Sequence, residues 1–404
     1  MHDILPPESE IWENVEKILR ETVELYGFKE IKTPIVEEKS LFERSVGESS
    51  DIVMKEMYTF TDKKGRFLAL RPEGTASVVR AYIEGQIYNK ERISRFYYFG
   101  PMFRYDRPQK GRYRQFYQFG IELLGGAHPF FDGEVIKILD NLFKNLGIEN
   151  FYFSVNSLGC NTCKKKYTEI VRNYFEKLKK DLCEDCKIRL EKSPLRILDC
   201  KNEKCKEMIK NVSSPVENLC DECKAHFEKV NEYMKEFEIR YFLNPMLVRG
   251  LDYYTKTVFE VFIDNEPNAI AAGGRYDNLV KELGGPDIPA TGFAIGIERI
   301  IPLVKVKIDK IIIYGIFLGE KAKIYGTKIA DILRKENISV EVDYEERSLK
   351  SHLKIADRLK RKWCIIIGDI EVEKKEIILK NMETGKQENI KEENLVSKIK
   401  ECLK

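Results

Sequence analysis

Apolar residues return at helical spacing over residues 8–27, where Ile11, Val15, Ile18, Leu19, Val23 and Leu25 predict an amphipathic helix and Gly27 its stop. Lys29–Val36 then alternates in the manner of a strand, with Pro34 near its end, as suits an edge or a terminus. Phe67–Leu70 reads as a short strand, and Arg71-Pro72-Glu73-Gly74-Thr75 turns into a helix over 76–86 with Thr75 as N-cap. Strands near 95–104 and 115–124 flank a basic loop, and residues 134–146 are helical. Residues 160–240 are rich in Lys, Glu and paired Cys, with helical but few strand signals. Strand patterns resume at Thr255–Ile263 and Ala269–Gly273; a Gly284-Gly285-Pro286 turn follows, then a strand-to-helix passage over Phe293–Leu303. Beyond 305, strands at 310–317, 339–342 and 363–367 alternate with helices at 320–336 and 348–361. The pattern predicts an antiparallel α+β body (residues 1–159 together with 241–304), an inserted helical segment (160–240) and a C-terminal α/β domain (305–404).

Hydrophobic residues at 43% and aromatics at 11% of 404 exclude intrinsic disorder for most of the chain. The longest apolar run, near Ile311–Leu318, is far short of the roughly 20 residues of a membrane span. The opening Met1-His2-Asp3-Ile4-Leu5-Pro6 carries no basic-then-apolar signal segment, so a soluble cytoplasmic protein is expected. The net charge of +3 leaves a nucleic-acid partner open, because clustering matters more than the total.

Eight of the ten cysteines fall between residues 160 and 223, in four pairs: Cys160/Cys163, Cys183/Cys186, Cys200/Cys205 and Cys220/Cys223. That spacing brings two sulfurs within reach of one tetrahedral ion, and eight thiolates fit two structural zinc sites. Free thiols and redox disulfides remain the other readings, disulfides being the weaker without a secretion signal. His226, three residues after Cys223, could replace one sulfur; a solvated helical histidine is the plainer reading. Residues 160–229 carry 17 basic and 13 acidic side chains, an excess that two four-thiolate zinc sites would cancel.

The strand 115–124 carries the clearest candidate chemistry. Alternation puts Phe116, Gln118, Gly120 and Glu122 on one face and the apolar Tyr117, Phe119, Ile121 and Leu123 on the other. A glycine beside an amide and a carboxylate suggests a ligand-lined face, since glycine lets a ligand approach closely. The preceding loop, Arg104 to Arg114, holds five positive charges, one negative charge and the interleaved Tyr105 and Tyr113, a composition suited to polyphosphate or an RNA end. Three further clusters stand out: Val248-Arg249-Gly250-Leu251-Asp252-Tyr253-Tyr254-Thr255, Ala271-Ala272-Gly273-Gly274-Arg275-Tyr276-Asp277, and Gly292-Phe293-Ala294-Ile295-Gly296-Ile297-Glu298-Arg299.

Together these segments resemble the histidyl-tRNA synthetase family of class II aminoacyl-tRNA synthetases, over essentially the whole chain. Gly27–Val46 looks like the dimer-forming motif 1, Phe103-Arg104 through Glu122 like motif 2, and Gly292–Arg299 like motif 3. Leu247–Tyr254 and Ala272–Tyr276 match the two segments peculiar to the histidine enzyme. The resemblance implies a class II antiparallel sheet flanked by helices and a C-terminal anticodon-binding domain. It implies activation of L-histidine with ATP and Mg2+, transfer to tRNA-His, and a homodimer. Arg104, Arg249 and Arg299 would be catalytic. Arg104, Asp106, Phe116 and Arg299 would bind ATP. Glu73, Thr75, Gln118, Glu122, Arg249, Tyr253, Tyr254 and Tyr276 would bind histidine, with Glu73, Thr75 and Gln118 around the ammonium and Glu122 and Tyr254 on the imidazole nitrogens. Arg107, Gln109, Lys110, Arg112 and Arg114 would grip the tRNA acceptor end. Residues 305–404, with 23 basic and 18 acidic side chains, would read the anticodon.

Three features depart from the family pattern. Asp106 stands where relatives carry Glu, one methylene longer, which shortens its reach toward the adenine amino group. Relatives carry several residues, including an Arg-Gly pair, ahead of the stretch that opens here at Asp3, which leaves open whether the native start lies upstream of Met1. Zinc is not a general property of the family, so the eight cysteines belong to the insertion of this branch; ordering a clamp over the tRNA acceptor arm is the expected role. Two rival readings leave residues unexplained. A regulatory subunit of ATP phosphoribosyltransferase would have lost the ATP-binding arginines and the anticodon domain, whereas Arg104, Arg249 and Arg299 are present. A zinc-dependent RNA-binding protein gives no role to Glu73, Glu122 or the Tyr253-Tyr254 pair.

Overall fold

The computed structural model describes residues 3–47, 50–106, 111–305 and 311–402. The chain forms two compact units, Met1–Val306 and Lys307–Lys404. In the first, the strands are β1 (Lys29–Glu30), β2 (Val36–Glu38), β3 (Thr59–Thr61), β4 (Phe67–Leu70), β5 (Ser94–Phe103), β6 (Gln115–Leu124), β7 (Phe151–Ser157), β8 (Tyr241–Leu243), β9 (Thr255–Ile263), β10 (Ala271–Arg275) and β11 (Ala290–Gly296). Among the described residues, eight of them form one sheet in the order β1-β5-β6-β11-β10-β9-β7-β8, while β2, β4 and β3 form a small separate one. The six central strands of the large sheet run antiparallel, and β1 and β8 add parallel pairs at its two edges.

The helix Glu8–Glu24 buries Trp12, Val15, Leu19 and Val23 against one face of this sheet. Each such side chain contributes about 1.5–3 kcal/mol when fully removed from water. The helix stops three residues before Gly27, so Leu25 lies beyond the buried stripe and is exposed. The helix Phe130–Asn145 lies on the same face, with Val135, Ile138, Leu139 and Leu142 in a shared core with Phe119, Ile121 and Leu123 of β6.

The expected strand Lys29–Val36 is broken in two. Its first residues pair with β5 and its end joins β4 in the other sheet. Between them Thr33 O accepts from the Arg71 guanidinium and Ile35 O from Arg71 N, so side chain and loop take bonds a continuous ladder would have used. Most other elements lie within a few residues of their expected positions.

The segment 160–240 consists of helices Asn161–Glu176, Glu184–Lys192, Glu203–Ile209 and Asp221–Glu236 joined by short 3-10 turns. It shares the cores of the first unit: Phe227, Val230 and Met234 of its last helix pack with the sheet face that holds Phe153 and Val261. His226 on that helix is buried, not solvated. Its Nε2 lies 3.6 Å from Asp132 Oδ2, and burial pushes its pKa down to about 4. Asp132 in turn pairs with the fully buried Arg275 at 2.6 Å and accepts from Thr257 Oγ1 at 2.7 Å.

The second unit holds a five-stranded sheet ordered β13-β12-β14-β15-β16, with β12 (Ile312–Phe317), β13 (Ser339–Val342), β14 (Trp363–Ile367), β15 (Glu376–Asn381) and β16 (Gln387–Lys391). β12 is parallel to β13 and β14, and β15 and β16 add an antiparallel edge. Helices Glu320–Lys335 and Leu349–Arg358 fall at the expected places; the last two strands and the helix Leu395–Cys402 carry too little period to be read from sequence. No helix among the described residues is long and apolar enough to cross a membrane.

Removing one partner of a buried ion pair strands the other charge at a cost of about 3–5 kcal/mol. Asp132→Ala is therefore expected to destabilise the first unit by that amount in denaturant unfolding. A loss under about 1 kcal/mol would show that the pair does not hold this face together.

Candidate active site

The face of the large sheet opposite the helical core opens into a cavity of about 480 Å³. Strand alternation builds it from β6 upward. Phe116, Gln118 and Glu122 point into the cavity, while Phe119, Ile121 and Leu123 enter the core. Gly120 shares the cavity face but serves another side chain. A Cβ there would lie 2.4 Å from Tyr98 Oη, and one on Gly74 would come as close to the same ring. The glycine thus admits Tyr98 rather than a ligand. On the neighbouring β11 a Cβ at Gly292 would meet Glu122 Oε2 at 2.4 Å, so the glycine leaves room for that carboxylate.

At one end, Glu122 accepts hydrogen bonds from Thr75 Oγ1 at 2.6 Å and from the Tyr276 hydroxyl. Thr75 is not the N-cap. Gly74 holds that position, and the Glu73 carboxylate takes the Thr75 and Ala76 N–H groups at 2.7 and 2.9 Å. A carboxylate suits a helix N-terminus, and its presence two residues upstream frees the Thr75 hydroxyl for Glu122. Tyr253 packs 4.7 Å from Tyr254 and 5.5 Å from Tyr276, ring centre to ring centre. Burial pushes the pKa of all three phenols up, keeping them protonated donors. Gln118 Oε1 is buried without a hydrogen-bond partner among the described residues.

The other end is cationic. Arg104, Arg249 and Arg299 all line it. Arg104 Nε donates to Pro72 O at 2.8 Å, and its guanidinium lies 5.4 Å from the Phe116 ring centre. Arg249 pairs with Glu260 of β9; burial is the largest influence and disfavours its charge, but Glu260 together with Tyr254 and Tyr253 leaves its pKa raised. Arg299 donates to Ala269 O at 2.5 Å and Gly111 O at 3.4 Å. Burial and the nearby Arg112 and Arg104 push Arg299 down to about 10. Like charges held together this closely favour a polyanionic ligand.

Of the basic loop, Arg112 pairs with Asp106 at 3.3 Å, and Arg114 lies 4.2 Å from the Tyr105 ring centre. Arg107, Gln109 and Lys110 lie outside the described residues. Tyr98, Glu56 and Glu260 also line the cavity and were missed from sequence. The signal for Glu260 was its place between the apolar Phe259 and Val261; for Tyr98 it was a register opposite Gly120 that only the sheet reveals.

Residues 1–300 match the family model described as histidyl-tRNA synthetase, and residues 304–402 match an anticodon binding domain. A histidine–tRNA ligase of Halothermothrix orenii is 46% identical over 100% of this chain and 98% of its own length. The chain belongs to the histidyl-tRNA synthetase family. A histidine–tRNA ligase of Bacillus subtilis is 46% identical over 95% of this chain and 93% of its own. The apo S. aureus histidyl-tRNA synthetase superposes with a TM-score of 0.82 at 37% identity, covering 98% of this chain and 97% of that one. A Bacillus halodurans protein described as an ATP phosphoribosyltransferase regulatory subunit/histidyl-tRNA synthetase shares the fold at 21% identity, with a TM-score of 0.65 over 91% of this chain and 96% of that one.

In this member of the histidyl-tRNA synthetase family the eight paired cysteines form two nested groups. Cys160, Cys163, Cys220 and Cys223 make the outer one; Cys183, Cys186, Cys200 and Cys205 the inner. Within each group the sulfurs all lie within 4.8 Å of one another, and none is in a disulfide. Cys163, Cys186, Cys205 and Cys223 each occupy the third position of a helix. Backbone N–H groups point at the sulfurs: Cys160 N donates to Cys223 Sγ and Cys220 N to Cys163 Sγ, both at 3.1 Å. His226 belongs to neither group.

Burial pushes Glu122 up to about 8, and the neighbouring Glu73 is raised by burial as well. An unfolded glutamate titrates near 4.3. Between those values the folded chain keeps a proton that the unfolded chain releases, so stability falls as pH rises through the window. Glu122→Gln is expected to remove its share while leaving that of Glu73. Melting curves from pH 5 to 8 should show the variant gaining on the unmodified protein by up to a few kcal/mol. Parallel curves would mean that Glu122 is ionised in the folded state.

Proposed function

We propose that this chain is a histidine–tRNA ligase that activates L-histidine with ATP to histidyl-adenylate and pyrophosphate, then transfers histidine to the 3′ end of tRNA-His. The observation that carries this reading is one cavity with a neutral hydrogen-bonding end built from Glu122, Tyr254 and Tyr276 and a cationic end built from Arg104, Arg249 and Arg299. A neutral imidazole offers one donor and one acceptor, and a carboxyl group beside protonated phenols can satisfy both. A pocket of this kind rejects isosteres that leave its buried polar groups unpaired. Glu73, Thr75 and the free Gln118 oxygen supply acceptors for the α-ammonium, and Tyr253 walls the pocket.

The histidine carboxylate attacks the α-phosphorus of ATP and pyrophosphate leaves in line. Arg249, held by Glu260, bridges the carboxylate and the α-phosphate; a planar guanidinium that stays charged suits two oxygens at once. Arg104 holds the α-phosphate and Arg299 the far phosphates. Phe116 takes the adenine ring, with Asp106 toward its amino group. Mg2+ enters with ATP as part of the substrate. The tRNA terminal hydroxyl then attacks the adenylate carbonyl and AMP leaves. Orientation and charge stabilisation supply the rate rather than a covalent enzyme intermediate.

Arg107, Gln109, Lys110, Arg112 and Arg114 receive the tRNA acceptor end, residues 305–404 read the anticodon, and residues 160–240 are an insertion into the catalytic body. The protein works as a cytoplasmic homodimer, twofold symmetry being the commonest closed arrangement. Each four-cysteine group fits structural Zn2+. The Cys160–Cys163 and Cys183–Cys200 sulfur separations are 3.7 and 3.8 Å, and a tetrahedron of ~2.3 Å zinc–sulfur bonds has an edge of about 3.8 Å.

ATP–pyrophosphate exchange, run with each of the twenty amino acids separately, tests the reaction. Exchange with histidine alone is expected, and Arg249→Ala should lower it by roughly 10²–10³-fold in a folded protein. Histidine binding without exchange would instead identify a regulatory relative.

A further inference from the structure

The loop 248–254, which carries Arg249, Tyr253 and Tyr254 into the cavity, contains no helix or strand. Its position therefore depends on what its backbone groups are bonded to. Three of its alternate carbonyls are held by two cations that come from the cysteine-rich segment. Arg196 Nη1 donates to Gly250 O at 3.1 Å, and Nη2 reaches Asp51 Oδ2 at 2.8 Å. Lys164 Nζ donates to Asp252 O at 2.5 Å and to Tyr254 O at 3.2 Å.

Both cations lie close in sequence to the cysteine groups. Arg196 sits in the 3-10 turn Pro194–Asp199, which lies between the inner-group residues Cys186 and Cys200. Arg189, also in that interval, donates to Arg196 O and contacts Asp51 at 3.4 Å. Asp199 and Lys201, on either side of Cys200, line the active-site cavity themselves. Lys164 follows Cys163 of the outer group directly in sequence, on the first turn of the helix that Cys160 caps. Each four-thiolate group thus stands one short connection from a side chain that grips the loop, one reaching Gly250 and the other Asp252 and Tyr254.

The helices that carry the inner cysteines Cys186 and Cys205 are only nine and seven residues long. Helices this short are marginal alone, and a closed four-thiolate metal site is a strong means of fixing them. We propose that metal ions bound at the two cysteine groups position the loop 248–254, through Arg196 from the inner group and Lys164 from the outer one. Arg196, which also lines the cavity, and Lys164 are positioning residues: they act by holding the carbonyls around Arg249, Tyr253 and Tyr254. This deepens the proposed histidine–tRNA ligase reading and rests on it for the identity of the substrate.

The test begins with the metal content of the unmodified protein, purified without added metal, expected at about two zinc ions per chain. Exchange kinetics are then compared for the unmodified protein, Arg196→Ala, Arg196→Lys and Lys164→Met. Arg196→Ala and Lys164→Met should keep both ions and their fold while raising the KM for histidine by roughly tenfold to a hundredfold, more than the KM for ATP. Arg196→Lys should fall between, because an ammonium cannot serve Gly250 and Asp51 with a planar fork. Cys186→Ser should lose one ion and show the same rise in histidine KM. If that variant fails to fold, the Arg196 and Lys164 variants, which leave every thiol in place, still decide. A purified protein without metal, or folded, metal-loaded Arg196→Ala and Lys164→Met with unchanged histidine KM, would overturn the proposal. A merely structural role would lower melting temperature and active fraction without moving KM. Absence of exchange in the unmodified protein would count against the ligase reading instead; the histidine dissociation constant from calorimetry then replaces KM as the readout for the loop.

Discussion

A one-residue slip of β6 against its neighbours would turn Glu122 into the apolar core and Leu123 into the cavity. Side chains along a strand alternate with a period of two, so the register of this single strand decides which face binds and which face packs. The register is fixed from both sides. Ten residues of β6 pair with β5 and seven with β11, and the core-facing Phe119, Ile121 and Leu123 penalise any slip by exposing apolar area. The cavity inherits its geometry from that constraint. Tyr98, opposite Gly120, and Gly292, opposite Glu122, are where the register puts them, and each fits only because a glycine faces a bulkier side chain.

The same constraint explains how much could be read in advance. The two faces of β6 were legible because alternation is a local property, as were the first amphipathic helix, expected over 8–27 and found over Glu8–Glu24, and the class of the sheet. What failed to show was non-local. Thr75 looked like a cap because Ser and Thr often are, yet Glu73 had already taken the helix N–H groups and left the hydroxyl to a carboxylate 47 residues away. Gly120 looked like space for a ligand and is space for Tyr98. Lys29–Val36 alternated well enough for one strand, but Arg71 claims backbone oxygens in its middle. The cysteine spacing announced tetrahedral pairs without saying which pairs join; the outer-with-outer, inner-with-inner arrangement shows only in the folded chain.

Electrostatically the cavity is divided. At one end burial holds Glu122 and Glu73 toward their neutral forms and keeps the phenols protonated, giving hydrogen bonds without net charge. At the other end Arg104 and Arg299 are pushed down by burial, with neighbouring arginines pushing Arg299 further. Of the three, Arg249 alone has its pKa raised, because Glu260 and the neighbouring Tyr254 and Tyr253 together outweigh burial. An anionic ligand relieves the arginine end and leaves the other end unchanged, so the two ends can bind chemically different groups independently.

The division does not isolate the cavity from the cysteine-rich segment. The helix Asp221–Glu236 begins at the outer thiolate group with Cys220 and Cys223 and runs down onto the main core with Phe227, Val230 and Met234. On the way His226 faces Asp132, Asp132 holds Arg275, and the next residue, Tyr276, donates to Glu122. That route reaches the carboxylate end of the cavity, whereas Lys164 and Arg196 reach the loop beside the arginines. The segment 160–240 thus belongs to two cores and touches both ends of the site. Its loss would therefore remove apolar packing, the partner face of a buried ion pair and the bonds on the loop together, rather than trimming a peripheral module.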